Sequence, residues 1–182
     1  MLRRTIETMV VLIFIAVVAL LGAARVWHEP DRGVYWRIAE LAKMPQDSGG
    51  IDFVQLQRRA TGNDALICPE RLCQKAKPEL ISPVFPVAAD DLRKKVTTVV
   101  MSEPDSVELA CADTCNRVGR FVEYSTLFQF PDTIDVRVVE AGANASTLAI
   151  YSRSVVGIGD QGVNLARAKR WLASLQRIMP RQ

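Results

Sequence analysis

The fold is decided by two neighbouring stretches, Thr133-Ile134-Asp135-Val136-Arg137-Val138-Val139-Glu140 and Ser146-Thr147-Leu148-Ala149-Ile150-Tyr151-Ser152-Arg153-Ser154-Val155-Val156. Each alternates apolar and polar residues with period two, and a short Ala/Gly/Asn turn separates them, which predicts an antiparallel hairpin. In the first strand Ile134, Val136 and Val138 share a face; in the second Leu148 and Ile150 do. Putting both apolar sets on one side pairs even positions with even, because a slip of one residue would turn every side chain over. That register gathers Asp135, Arg137, Tyr151 and Arg153 on the opposite face.

Outward from the hairpin, strands are expected over 106–112 and 119–130, and an extended segment with Pro83 and Pro86 over 80–87. In 119–130, Val122, Tyr124, Phe128 and Phe130 are expected on one face and Glu123 on the other, so that Glu123 would join the charged patch. A helix is predicted over 90–101, with Leu92, Val96, Val99 and Val100 at helical spacing and Asp90 and Asp91 at its positive N-terminal end. A closing helix over 165–179 would bury Leu165, Ala168, Leu172, Leu175 and Met179. In residues 51–80, Ile51-Asp52-Phe53 is open to reading as a strand or a docking segment, and Pro69 and Pro78 argue for loop around the first cysteine pair. The order is β-α-β-β-β-β-α. It implies an α+β domain with an antiparallel sheet of four to five strands and two helices on one face.

The N-terminus reads as an address. Arg3 and Arg4 precede an uncharged apolar run over 8–24, roughly 25 Å long as a helix. A single-pass transmembrane anchor with Arg3 and Arg4 inside is favoured over a signal peptide cleaved near Gly22-Ala23-Ala24 and over a buried core helix. The expected organisation is an anchor or signal segment over 1–26, a juxtamembrane helix and linker over 27–50, and a periplasmic domain over 51–182, on a bacterial inner membrane.

Four cysteines fit export. Cys68 and Cys73, and Cys111 and Cys115, are spaced for two local disulfides, although three connectivities are open. A four-cysteine zinc site, a redox pair and four unpaired core thiols are the alternatives; the spacings contain neither the C-x2-C knuckle nor a C-x-x-C.

Composition narrows the function. There are 23 Lys+Arg against 20 Asp+Glu, a net charge of +3, which is too balanced for a strongly basic nucleic-acid binder. The one histidine, His28, excludes a Ser-His-Asp triad or a multi-His metal site assembled within this chain. Gly157-Ile158-Gly159-Asp160-Gln161-Gly162 is a literal G-x-G-x-x-G, yet too little chain follows for a second parallel strand, and no acid follows Asp160 to hold a ribose. It is read as a strand-to-helix turn, with Asp160 or Asn164 as cap. No nucleotide, cofactor or metal is expected.

Several of these stretches also resemble a known family. Ser82-Pro83-Val84-Phe85, the run from Phe130-Pro131-Asp132 to Arg137, Tyr151-Ser152-Arg153-Ser154-Val155-Val156-Gly157, and Asp160-Gln161-Gly162-Val163-Asn164 are similar to the uncharacterised bacterial family called domain of unknown function 1499. The segment from Ile51-Asp52-Phe53 to Asn63-Asp64-Ala65-Leu66-Ile67-Cys68-Pro69 looks like its membrane-anchored proteobacterial members. The family motif, near S-R-S-x-x-G-x-x-D-x-G-x-N-x-x-R, is complete here in Ser152, Arg153, Ser154, Gly157, Asp160, Gly162, Asn164 and Arg167. The departures are Cys111/Cys115, and Gly62 in place of a proline. The resemblance implies an envelope protein and brings no reaction.

Asp135, Arg137, Arg153 and Asp160 are therefore the candidate ligand-binding residues, for the polar end of an envelope lipid or for an envelope protein. A solvated face of cross-strand ion pairs and a scaffold role are the structural alternatives. An enzyme acting on an envelope lipid or glycan would instead use Asp132, Asp135 or Asp160 as acid or base and Arg153 to stabilise an anion. A structural subunit of an envelope complex is the third class.

Overall fold

A computed structural model describes residues 9–20, 50–109, 117–125, 130–155 and 157–180. The expected juxtamembrane helix and most of its linker lie outside the described residues, as do Cys111 and Cys115. Residues 9–20 are helical, with apolar side chains exposed along their length. Among the described residues, no helix is long and apolar enough to cross a membrane.

From residue 50 onward the chain is α+β. Its elements are β1 (Asp64–Cys68), β2 (Leu80–Ile81), α1 (Ala89–Met101), β3 (Ser106–Glu108), β4 (Val118–Tyr124), β5 (Pro131–Gly142), β6 (Ala145–Ser154) and α2 (Val163–Arg177). The six strands form one sheet in the order β2-β1-β6-β5-β4-β3. The sheet is mixed, since β1 and β2 run parallel while the other neighbours are antiparallel.

The central hairpin has the expected register, with Ile134 opposite Ser152 and Val136 opposite Ile150. Its even-numbered side faces both helices. There Ile134, Val136, Val138, Leu148 and Ile150 pack with Leu92, Val96 and Val100 of α1 and with Ala168, Trp171, Leu172 and Leu175 of α2. Phe121 meets Trp171 edge to face at 5.9 Å. A smaller cluster lies on the other side of the sheet, where Phe53, Leu56, Cys73 and Ala76 pack on Leu66, Cys68, Ala149 and Tyr151.

Three expectations are corrected. The sheet is mixed rather than antiparallel, because the segment after β1 turns back along it and lays Leu80–Ile81 beside Ile67–Cys68 in the same direction. The sheet has six strands rather than four or five, because Asp64–Cys68 is an interior strand between β2 and β6. Every residue of β1 is buried, so its sequence shows no alternation, and Pro69 ends the strand rather than excluding it. Glu123 does not join the Asp135–Arg153 face. It pairs with Asp132, on the helix side, because the β4–β5 register sets Phe121 opposite Ile134 and Val122 opposite Thr133. Both Phe121 and Val122 are buried, so alternation in β4 could not decide its inward face.

Candidate functional site

On the side of the sheet away from the helices, a line of polar groups crosses from β5 through β6 to β1. Its inner end is a buried ion pair: Arg153 Nη1 donates to Asp135 Oδ2 at 2.6 Å, with the two residues 2% and 1% exposed. Arg120 Nε stands 3.9 Å from the other oxygen of Asp135. The Arg153 guanidinium lies over the Tyr151 ring, 5.3 Å from its centroid. Tyr151 Oη donates to Asp64 Oδ2 at 2.5 Å. The second Asp64 oxygen accepts from Arg58 Nη2 at 2.6 Å and Nε at 3.2 Å. Arg58 also pairs with Glu79, whose other oxygen accepts the backbone N–H of Leu66 at 2.8 Å.

The line ends in a cleft of about 570 Å³, lined by Arg58, Arg59, Gly62, Asp64, Lys75, Ala76, Lys77, Pro78 and Glu79. Four basic side chains face two acidic ones, and both acids are engaged by Arg58. Arg59 Nη1 donates to the Ser154 carbonyl at 2.8 Å, and Lys75 Nζ donates to Gln55. These are neutral acceptors, so positive charge is left in excess at the mouth.

The disulfide positions this wall. Cys68 ends β1 and bonds to Cys73, with Cα atoms 6.2 Å apart, which is one of the two expected local pairs. Two thiols are thereby removed from any four-cysteine zinc site. The bridge folds the chain back so that Lys75 and Lys77 face Arg58 and Arg59. The stem is fixed by Cys68, Cys73 and Ala76 packing on Phe53 and Tyr151.

Burial alone would raise the Asp64 carboxyl, but hydrogen bonds from Arg58 and Tyr151 and the Arg58 charge outweigh it and hold it below the usual carboxylate range. Burial, reinforced by the Asp64 carboxylate, pushes the Tyr151 phenol up. Burial opposes the Arg58 charge, yet Asp64 and Glu79 more than compensate.

The other candidates fall into two places. Arg137 is half-buried on the Asp135–Arg153 face, opposite Ala149. Asp160 lies in the turn before α2, away from Asp135. Its Oδ1 accepts from Gly162 N at 2.9 Å and its Oδ2 from Asn164 N at 2.8 Å, the work of a helix cap. Burial works to raise this carboxyl too, and the Asn164 and Gly162 donors bring it below its ordinary value. The glycine pattern has a backbone cause: Gly157, Gly159 and Gly162 all have positive φ.

The helix side of the same region holds a second buried network. Arg167 Nη1 donates to Ser152 Oγ at 2.9 Å and to Asn164 Oδ1 at 2.8 Å, and its Nη2 donates to Asp132 Oδ2 at 2.6 Å. Glu123 Oε1 is 2.9 Å from Arg167 Nε. Asn164 Nδ2 reaches the Asn63 carbonyl at 3.1 Å and Ser154 Oγ at 3.0 Å. These contacts fasten α2 to β4, β5 and β6 and to Asn63, just before β1. The motif residues Ser152, Ser154, Asp160, Gly162, Asn164 and Arg167 thus meet one another, while Arg153 points through the sheet to the cleft side.

Sequence pattern alone does not bring Arg58, Arg59, Lys75, Lys77 and Glu79 together as a site. They come from two loops, one before β1 and one after Cys73; the Cys68/Cys73 spacing signals only that the second loop turns back at the end of β1.

No curated protein matches the sequence. A family model described as "Protein of unknown function (DUF1499)" matches residues 68–175, which is more than half of the chain and includes every element from α1 to β6. The chain therefore belongs to the DUF1499 family.

Proposed function

We propose that this chain is a single-pass bacterial inner-membrane protein whose periplasmic domain binds, without transforming, an envelope lipid carrying an anionic head group. The observation that carries the reading is the cleft, where Arg59, Lys75 and Lys77 face a pocket whose acids are already paired with Arg58. A head group bearing phosphate would complete the charge balance, and two lysines and an arginine supply donors for its oxygens. Asp135 and Arg153 act behind the cleft: Arg153 backs the Tyr151 ring, and Tyr151 and Asp64 hold the Arg58 fork. The apolar run over 8–24, helical and exposed over residues 9–20, supports a membrane anchor.

At Asp64 and Asp160 the direction of the shift argues against a general acid. A general acid needs a raised pKa, whereas Asp64 and Asp160 are held low by several donors each.

Glycerol 3-phosphate is the head-group probe. Added to the full chain in mild detergent, it should raise Tm by several degrees, and the Lys75→Glu/Lys77→Glu variant should lose that rise. An unchanged Tm, or an equal rise in the variant, would overturn the reading.

A further inference from the structure

The turn between β6 and α2 has a surface that neither the sheet nor the helix uses. Ile158 stands at its tip and is 89% exposed, the most exposed large apolar side chain among the described residues. Val163, at the start of α2, is 52% exposed. Single exposed apolar side chains are common on protein surfaces; what sets Ile158 apart is its place beside basic residues.

The tip is held out rather than left loose. Gly159 N donates to the Thr61 carbonyl at 3.0 Å, and Asn63 Nδ2 donates to the Gly157 carbonyl at 2.8 Å. Gly157 and Gly159, on either side of Ile158, have φ of 100° and 70°, a backbone that projects the residue between them. Thr61 and Asn63 flank Gly62, which lines the basic cleft. Arg59 of the same cleft donates to Ser154, at the end of β6. An apolar prong therefore stands at the rim of a basic cleft.

We infer that this end of the domain docks on the surface of an anionic bilayer, with Ile158 entering the head-group/acyl boundary and Arg59, Lys75 and Lys77 meeting lipid phosphates. One exposed apolar side chain binds a membrane weakly, and adjacent basic residues add electrostatic attraction to an anionic surface. The tether makes weak docking sufficient, because it replaces bimolecular association with a local one. The chain enters the domain on this side: Phe53 and Leu56 pack with Cys73 and Ala76, and Ala76 lines the cleft. The inference rests on the proposed anchor for its tether, but not on a lipid occupying the cleft.

The test uses the full chain carrying Trp27→Phe and Trp36→Phe, so that buried Trp171 is the background emitter, with Ile158→Trp added. It is reconstituted into vesicles of three parts phosphatidylethanolamine to one part phosphatidylglycerol. Val84→Trp is the control, since Val84 is 61% exposed beside the opposite end of β6. The indole at the turn should emit to the blue of the control, and lipids brominated on the acyl chain should at least halve its added emission. Replacing phosphatidylglycerol with phosphatidylcholine should cut that quenching severalfold. A red-shifted, unquenched indole at the turn, or equal quenching at both sites, would overturn the docking. Quenching at the turn in a protein whose Tm ignores glycerol 3-phosphate would support docking and overturn the cleft reading alone.

Discussion

Tyr151 reaches diagonally from β6 to β1, and its hydroxyl donates to Asp64 across 2.5 Å, closing the line of contacts between the buried Asp135–Arg153 pair and the basic cleft. A strand pairing that holds the core is thus also the support of the proposed site. Changes at buried Tyr151 should therefore be felt at Arg58. Tyr151→Phe removes one donor from a buried carboxylate and should cost about 1–3 kcal/mol in urea unfolding. It should also weaken glycerol 3-phosphate binding, although the hydroxyl does not line the cleft.

Acid should destabilise the domain through Asp64 and Asp160. Both carboxyls have folded pKa values below their unfolded ones. Their contribution is fully present above the unfolded value of about 4 and is lost as pH falls through the folded values. Urea midpoints measured from pH 7 down to pH 2 should fall in that window. Asp64→Asn should start lower and fall less steeply, and a parallel curve would contradict the assignment.

The Asp135–Arg153 pair should respond asymmetrically. Arg153→Met leaves a buried carboxylate beside Arg120 and should cost about 3–5 kcal/mol. Adding Asp135→Leu should recover part of that loss in equilibrium unfolding. Additive losses in the double variant would show that the pair is not coupled.

The disulfide spans a sequence separation of 5, and chain entropy alone makes such a short closure worth about 2 kcal/mol. Cys68→Ala/Cys73→Ala should cost at least that, since both positions are buried. It should also loosen the loop bearing Lys75 and Lys77 and weaken head-group binding more than Asp160→Ala does. Asp160→Ala removes a cap worth about 1 kcal/mol and should speed amide exchange in the first turn of α2, with binding retained. Loss of binding in Asp160→Ala would restore Asp160 as a ligand residue.

Much of this architecture was legible from the chain because one face of the β5–β6 hairpin is so apolar. Ile134, Val136, Leu148 and Ile150 admit one register, and that register carries Asp135 and Arg153 to the far side. Both helices were legible for the same reason. β1 was not, since Asp-Ala-Leu-Ile-Cys is buried on both faces and leaves no alternation to read. Alternation puts Glu123 on the wrong face, because Phe121 and Val122 are both buried and only the pairing with β5 tells them apart. Of the site, the supports could be read, because they sit on strands. The cleft could not, because its two walls come from loops on either side of β1 that meet through Arg58, which reaches Glu79 and the Lys77 carbonyl, and no sequence pattern marks those contacts.

The most direct test of the central claim is native mass spectrometry of the full chain, purified from its own membranes in mild detergent, beside Lys75→Glu/Lys77→Glu prepared in parallel. The account predicts a stoichiometric phosphate-bearing lipid on the wild-type chain and its loss from the variant. A wild-type chain that is reproducibly empty, or a lipid retained equally by both, would contradict it.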